Sequence, residues 1–125
     1  MNDQDNFQNA AVNWMEECAL SIIVSDPSGK ILYMNTVAAD AYLHLGGKLL
    51  IGSSMFECHP EPALTKLKEL MDQRHSNVYT IEKNGIHKMV LQSPWVQDGT
   101  YAGYIELIFP IPVEIPHYIR GTNRD

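Results

Sequence analysis

Cysteine is scarce: Cys18 and Cys58, forty positions apart and outside any CxxC spacing, are the only two. A disulfide framework and a thiolate zinc site are therefore not expected, and both residues read as reduced, mostly buried thiols. Long apolar runs are also missing. Ala19 to Val24, broken by Ser21, and Leu107 to Val113 are the longest stretches, far short of the ~18 residues that a membrane helix needs. Basic charge is in deficit, with 9 Lys and Arg against 15 Asp and Glu and a formal charge of −6. Such a balance repels phosphate backbones and anionic headgroups, so neither nucleic acid nor a membrane surface is expected as a partner. The opening Met1-Asn2-Asp3-Gln4-Asp5 carries acid where a secretory signal carries base, and no apolar segment follows. The expected compartment is the cytoplasm.

What is present suits one domain. A chain of 125 residues, 45% of them hydrophobic, can bury one core. Phe7, Ala11, Trp14, Met15 and Cys18 fall at helical spacing and predict an amphipathic helix from Asp3 to Cys18, with Glu16 and Glu17 on its wet side. Strands are expected near Leu20 to Ser25 and Lys30 to Met34, joined by Asp26-Pro27-Ser28-Gly29, where Pro fixes φ and Gly accepts positive φ. Asn35 can cap a helix through Val37, Ala38, Ala41 and Tyr42, ending near Gly46-Gly47.

Pro60 and Pro62 suit the first turn of a central helix whose apolar stripe is Ala63, Leu64, Leu67, Leu70 and Met71, with Lys66, Lys68, Glu69 and Asp72 facing water. Three strands follow, near Val78 to Glu82, His87 to Val96 and Tyr101 to Phe109. Asn84-Gly85 is a two-residue hairpin signal, and Asp98-Gly99 marks the second reversal. In the last strand Gly103, Ile105, Leu107 and Phe109 share one face, and Tyr104, Glu106 and Ile108 the other, with Glu106 expected to point outward. The fold class is α+β, one antiparallel sheet with helices over one face. The chain divides into a helix at 1–18, a domain at 19–109 and a proline-containing tail at 110–125.

This order, with Val24-Ser25-Asp26-Pro27-Ser28-Gly29-Lys30-Ile31-Leu32-Tyr33-Met34-Asn35 near its front and Ala38-Ala39 in the helix after Asn35, resembles the PAS domain family. Leu50-Ile51-Gly52 is similar to the family's apolar step before its central helix, and Trp95 to Phe109, with Gly99 and Gly103, to its last hairpin. The resemblance implies a five-stranded antiparallel sheet that, with the helices from Asn35 to Gln73, encloses a small apolar core or cavity suited to a ligand. It also implies a sensory or interaction module in signal transduction or transcriptional regulation. Many members leave the last strand through Asp-Ile-Thr into a signalling helix. Here Phe109-Pro110-Ile111-Pro112-Val113-Glu114-Ile115-Pro116 excludes a continuous helix, and the helix ahead of the first strand becomes the candidate for partner contact.

The family's cofactors can be tested against these residues. Flavin photosensors of this kind need a Gly-x-x-Cys step, and the matching stretch is Gly52-Ser53-Ser54-Met55. Haem sensors usually draw an axial histidine from the central helix, but Glu61 to Arg74 has none; His59 precedes it and His75 follows. The expectation is a protein without a cofactor, with haem through His59 as the alternative and a His59 that bonds local backbone otherwise. Cys58 beside His59 does not make a catalytic dyad, because sequence neighbours point apart. The expected ligand pocket is lined by Met55, Phe56, Leu67, Tyr79, Met89 and Leu91, and it would take a small apolar ligand. The partner would be a second copy of the chain or a signalling protein. A small α+β pocket enzyme working by acid and base is the competing reading, disfavoured because the polar residues in the apolar segments look unpaired.

Overall fold

A computed structural model describes residues 14–121, and only the backbone of Cys58. The strands are β1 (Ser21–Ser25), β2 (Ile31–Met34), β3 (Asn77–Lys83), β4 (Ile86–Gln97) and β5 (Thr100–Ile111). They form one sheet in the order β2-β1-β5-β4-β3, with every neighbouring pair antiparallel. Between β2 and β3 run a short helix, Thr36–Ala41, three 3-10 turns and the central helix, Ala63–Gln73. The expected helix from Asp3 lies mostly outside the described residues, and 14–17 are helical.

Local chemistry explains the turns. Asp26 Oδ1 accepts from Ser28 N at 2.9 Å, Ser28 Oγ at 2.7 Å and Lys30 N at 2.9 Å, an Asx arrangement that folds the chain back before β2. Asn84 and Gly85 have φ of 53° and 78°, and Asp98 and Gly99 52° and 79°. Both hairpins thus have the two positive φ angles of a type I′ turn. The two prolines inside strands belong to the β4–β5 ladder, Pro94 opposite Tyr104 and Pro110 opposite Lys88, and neither has a paired strand on its other side: β3 pairs with β4 only back to Gln92 and β1 with β5 only up to Ile108. β5 consequently runs two residues past Phe109.

Asn35 fastens the front of the domain. Its Oδ1 accepts from Ile22 N at 3.0 Å and from Ala38 N at 3.1 Å, capping the short helix, while Nδ2 donates to Leu20 O at 2.7 Å and Met15 O at 2.9 Å. Glu16, expected on a wet face, is tied down instead. It accepts from the Tyr33 hydroxyl at 2.7 Å and pairs with Lys48, which holds the helical turn before β1 against the domain. Burial, and then the Glu16 hydrogen bond, push the Tyr33 pKa up to about 12.

The core lies between the central helix and one sheet face. Leu67, Leu70 and Met71 are buried as the helical stripe requires, against Ile23, Ile31, Met34, Met55 and Tyr104. The Tyr104 hydroxyl donates to Leu70 O at 3.1 Å, so Tyr104 marks the helix-covered face of β5. Glu106, two residues on, shares that face and is 2% exposed. The expectation that Glu106 points outward is corrected: Ile105, Leu107 and Phe109 are the residues on the other face, where they are only partly buried.

Candidate functional site

The polar residues of the helix-covered face converge. His59 follows the 3-10 turn Met55–Cys58. Its Nδ1 donates to Met55 O at 2.9 Å, and its Nε2 stands 3.2 Å from Glu106 Oε2. Gln92, opposite Glu106 in the β4–β5 register, donates from Nε2 to the same Oε2 at 2.8 Å. Asn77, opposite Gln92 in β3, donates to Gln92 Oε1 at 3.3 Å. The result is a line of four polar side chains across three strands and into the loop before the central helix. The expectation that Glu106 stands unpaired is corrected by its bonds to Gln92 and His59, while the bond of His59 Nδ1 to Met55 O is a contact with local backbone.

The electrostatics follow from the geometry. The His59 and Glu106 side chains are 8% and 2% exposed. Burial alone would lower the His59 pKa, but the hydrogen bond and charge of Glu106, with the Met55 carbonyl, outweigh it and hold the pKa above the ordinary imidazole value. An acceptor at each ring nitrogen favours the doubly protonated imidazole. Glu106 Oε1 is buried and has no hydrogen-bond partner among the described residues, which is costly in a low-dielectric interior.

Beside this line opens a cleft of about 380 Å³, lined by Pro62, Ala63 and Lys66 from the start of the central helix and by Asn77, Tyr79 and Gln92 from the sheet. Its volume is in the range of small-molecule sites. Gln92 and Asn77 belong both to its wall and to the polar line. The pKa of Tyr79 is raised by its burial and then by the charge of Glu106.

Of the six residues expected to line a pocket, Tyr79 does so. Met55 and Leu67 are in the packed core, and Phe56 packs on it. Met89 and Leu91 pair with Phe109 and Leu107 and so lie on the opposite face of the sheet, a correction with the same cause as that for Glu106. Gln92, Asn77 and Lys66 were not foreseen.

The histidine considered for haem does not fit that role as the structure holds it, since ligation would require breaking one of its two hydrogen bonds. Among the described residues no group of three or more His, Cys, Asp or Glu side chains is placed to hold a metal ion. Nor is any described helix long and apolar enough to cross a membrane.

No protein-family model matches the sequence, and no curated protein matches it. Solved structures do. The PAS domain of BvgS from Bordetella pertussis is similar with a TM-score of 0.62 at 18% identity, over 89% of this chain and 88% of that one. A sensory box sensor histidine kinase from Vibrio cholerae matches with a TM-score of 0.59 at 13% identity, over 88% and 96%. The Aer2 receptor from Vibrio cholerae, described as a dual PAS-heme oxygen sensor, matches with a TM-score of 0.55 at 14% identity, over 74% and 95%. These likenesses, with the strand order β2-β1-β5-β4-β3 and the helices over one face, show that the chain has the PAS fold.

Proposed function

We propose that the chain is a sensory and interaction module, not an enzyme, whose cleft between the central helix and β3 and β4 takes a small ligand. The observation that carries this is Glu106 Oε1, buried and without a partner among the described residues, one hydrogen bond behind the cleft wall. A ligand that engages Gln92 or Asn77 would change what those amides offer Glu106, and through it His59 and the loop before the central helix. The walls are largely apolar, so shape and apolar burial would supply affinity and the amides would orient the ligand.

An acid–base enzyme is the competing reading, and the His59–Glu106 pair is the group that would serve it. His59 Nε2 is engaged by Glu106 Oε2 and both side chains are nearly sealed from solvent, so a substrate would have to break the pair to reach it. Output through a protein partner or a second copy fits the half-exposed Trp14 in the turn before β1 and the partly buried Ile105, Leu107 and Phe109 on the outer sheet face.

Native mass spectrometry and an ultraviolet-visible spectrum of the purified protein, followed by a thermal-shift screen of small metabolites, test the reading. A colourless protein stabilised by a small molecule that is lost in Gln92→Leu is expected. Turnover of a compound that depends on His59 and Glu106 would replace it with the enzyme reading.

A further inference from the structure

The helix-covered face of the sheet carries a second cavity, of about 250 Å³, at the tip of the β3–β4 hairpin. Its walls include Val37 and Ala41 from the short helix and Ile81 and Ile108 from the sheet, with Ser21, Tyr42 and His44 also at its edge, and Val90, buried, separates it along β4 from Gln92 and the first cleft. Two lysines belong to it. Lys88 is opposite Ile81 in the β3–β4 register, and Lys83 lies two residues beyond Ile81, so both share the concave face with the apolar wall.

Lys88 is partly buried, and neither lysine has a carboxylate within ion-pair distance among the described residues. Lys83 is exposed at the rim and Lys88 sits partly buried beside the apolar wall, so in a chain of net charge −6 the cavity pairs apolar surface with two cations that have no counter-ion among the described residues. An anion with an apolar body supplies both missing partners.

We propose that this cavity binds a small apolar carboxylate, with its tail against Ile81, Ile108 and Val37 and its carboxylate on Lys88 and Lys83. At about 250 Å³ the cavity lies just below the ~300 Å³ at which small-molecule sites begin, which suits a short acid such as one of six carbons. The proposal is independent of the ligand in the first cleft.

Titration of the full chain with sodium hexanoate, followed by amide chemical shifts, tests it, with hexan-1-ol and hexylamine as controls. Saturable shifts at Val37, Ile81, Lys88 and Ile108 are expected, with hexanoate bound on the order of ten-fold more tightly than hexan-1-ol. Lys88→Met should remove that preference while leaving the alcohol's affinity unchanged, and Lys83→Met serves if Lys88→Met does not fold. Equal affinity for hexanoate and hexylamine overturns the proposal, as do shifts that never saturate at these amides. Nuclear Overhauser contacts between residues 1–13 and Ile108 in the full chain would overturn it too, because the chain's own N-terminus would then fill the cavity.

Discussion

His59 and Glu106, 47 positions apart in the chain, meet at 3.2 Å between Nε2 and Oε2 on the helix-covered face of the sheet. The folded-state pKa of His59 is raised above its ordinary value of 6.5. A raised pKa stabilises the fold fully below the unfolded value, and that contribution is lost as the pH rises through the folded one. The stability gap between the wild type and His59→Gln should therefore shrink as the pH rises above the ordinary imidazole value and through the raised, folded-state one. Urea unfolding at a series of pH values measures it. A gap that widens with pH would mean that the folded protein holds the ring neutral.

Gly103 has φ of 140°, and a Cβ there would lie 1.9 Å from the Ser25 carbonyl oxygen, which also accepts from Trp95 Nε1 at 3.0 Å. Backbone meets backbone at this point, so no rotamer change relieves the clash. Gly103→Ala should cost at least ~3 kcal/mol. Gly99, φ 79°, has nothing within 4 Å of its added Cβ among the described residues, and Gly99→Ala should cost only the left-handed strain of ~1–2 kcal/mol. Equal losses in denaturant unfolding would count against the close approach of β5 to β1.

The same contact shows how far the sequence was legible. Turns were readable because their chemistry is local: Asp26 and Gly29, Asn84-Gly85 and Asp98-Gly99 each carry it within a few residues. The stripe of Leu67, Leu70 and Met71 was readable because a helix's period is fixed. The polar line was not. Counting back from Gln97 opposite Thr100 sets Gln92 against Ile105, but a bulge at Trp95/Val96 shifts the ladder by one and sets Gln92 against Glu106. Ile105, Leu107 and Phe109 made the outer face of β5 look like the core side, because the partners that let Glu106 be buried, Gln92 and His59, are distant in sequence. The misplacement of Met89 and Leu91 followed from that inverted parity. Gly103 and the interrupted alternation at Ala102-Gly103 were the available signals of the bulge.

Leu67 is 1% exposed, at the centre of the core cluster, and Leu67→Ala should cost ~2–5 kcal/mol. Lys68, the next residue, is exposed, with its ammonium 5.2 Å from the centre of the Phe56 ring. Lys68→Ala should lose no more than ~1 kcal/mol. Similar midpoint shifts for the two variants would place the wrong face of the central helix against the sheet.

Haem binding through His59 sets the last expectation. Iron needs a ring nitrogen with a free lone pair, and both are engaged, Nδ1 with Met55 O and Nε2 with Glu106 Oε2. Freeing Nε2 leaves Glu106, already short of a partner at Oε1, with Gln92 alone. Breaking one side of a buried pair in this way typically costs ~3–5 kcal/mol, which the iron–imidazole bond would have to exceed. Stoichiometric haem added to the protein should therefore give weak, featureless absorption that His59→Ala leaves unchanged, with circular dichroism used to check that the variant remains folded. A sharp Soret band that appears at one equivalent and vanishes in folded His59→Ala would show that the pair opens, and that His59 serves iron in place of Glu106.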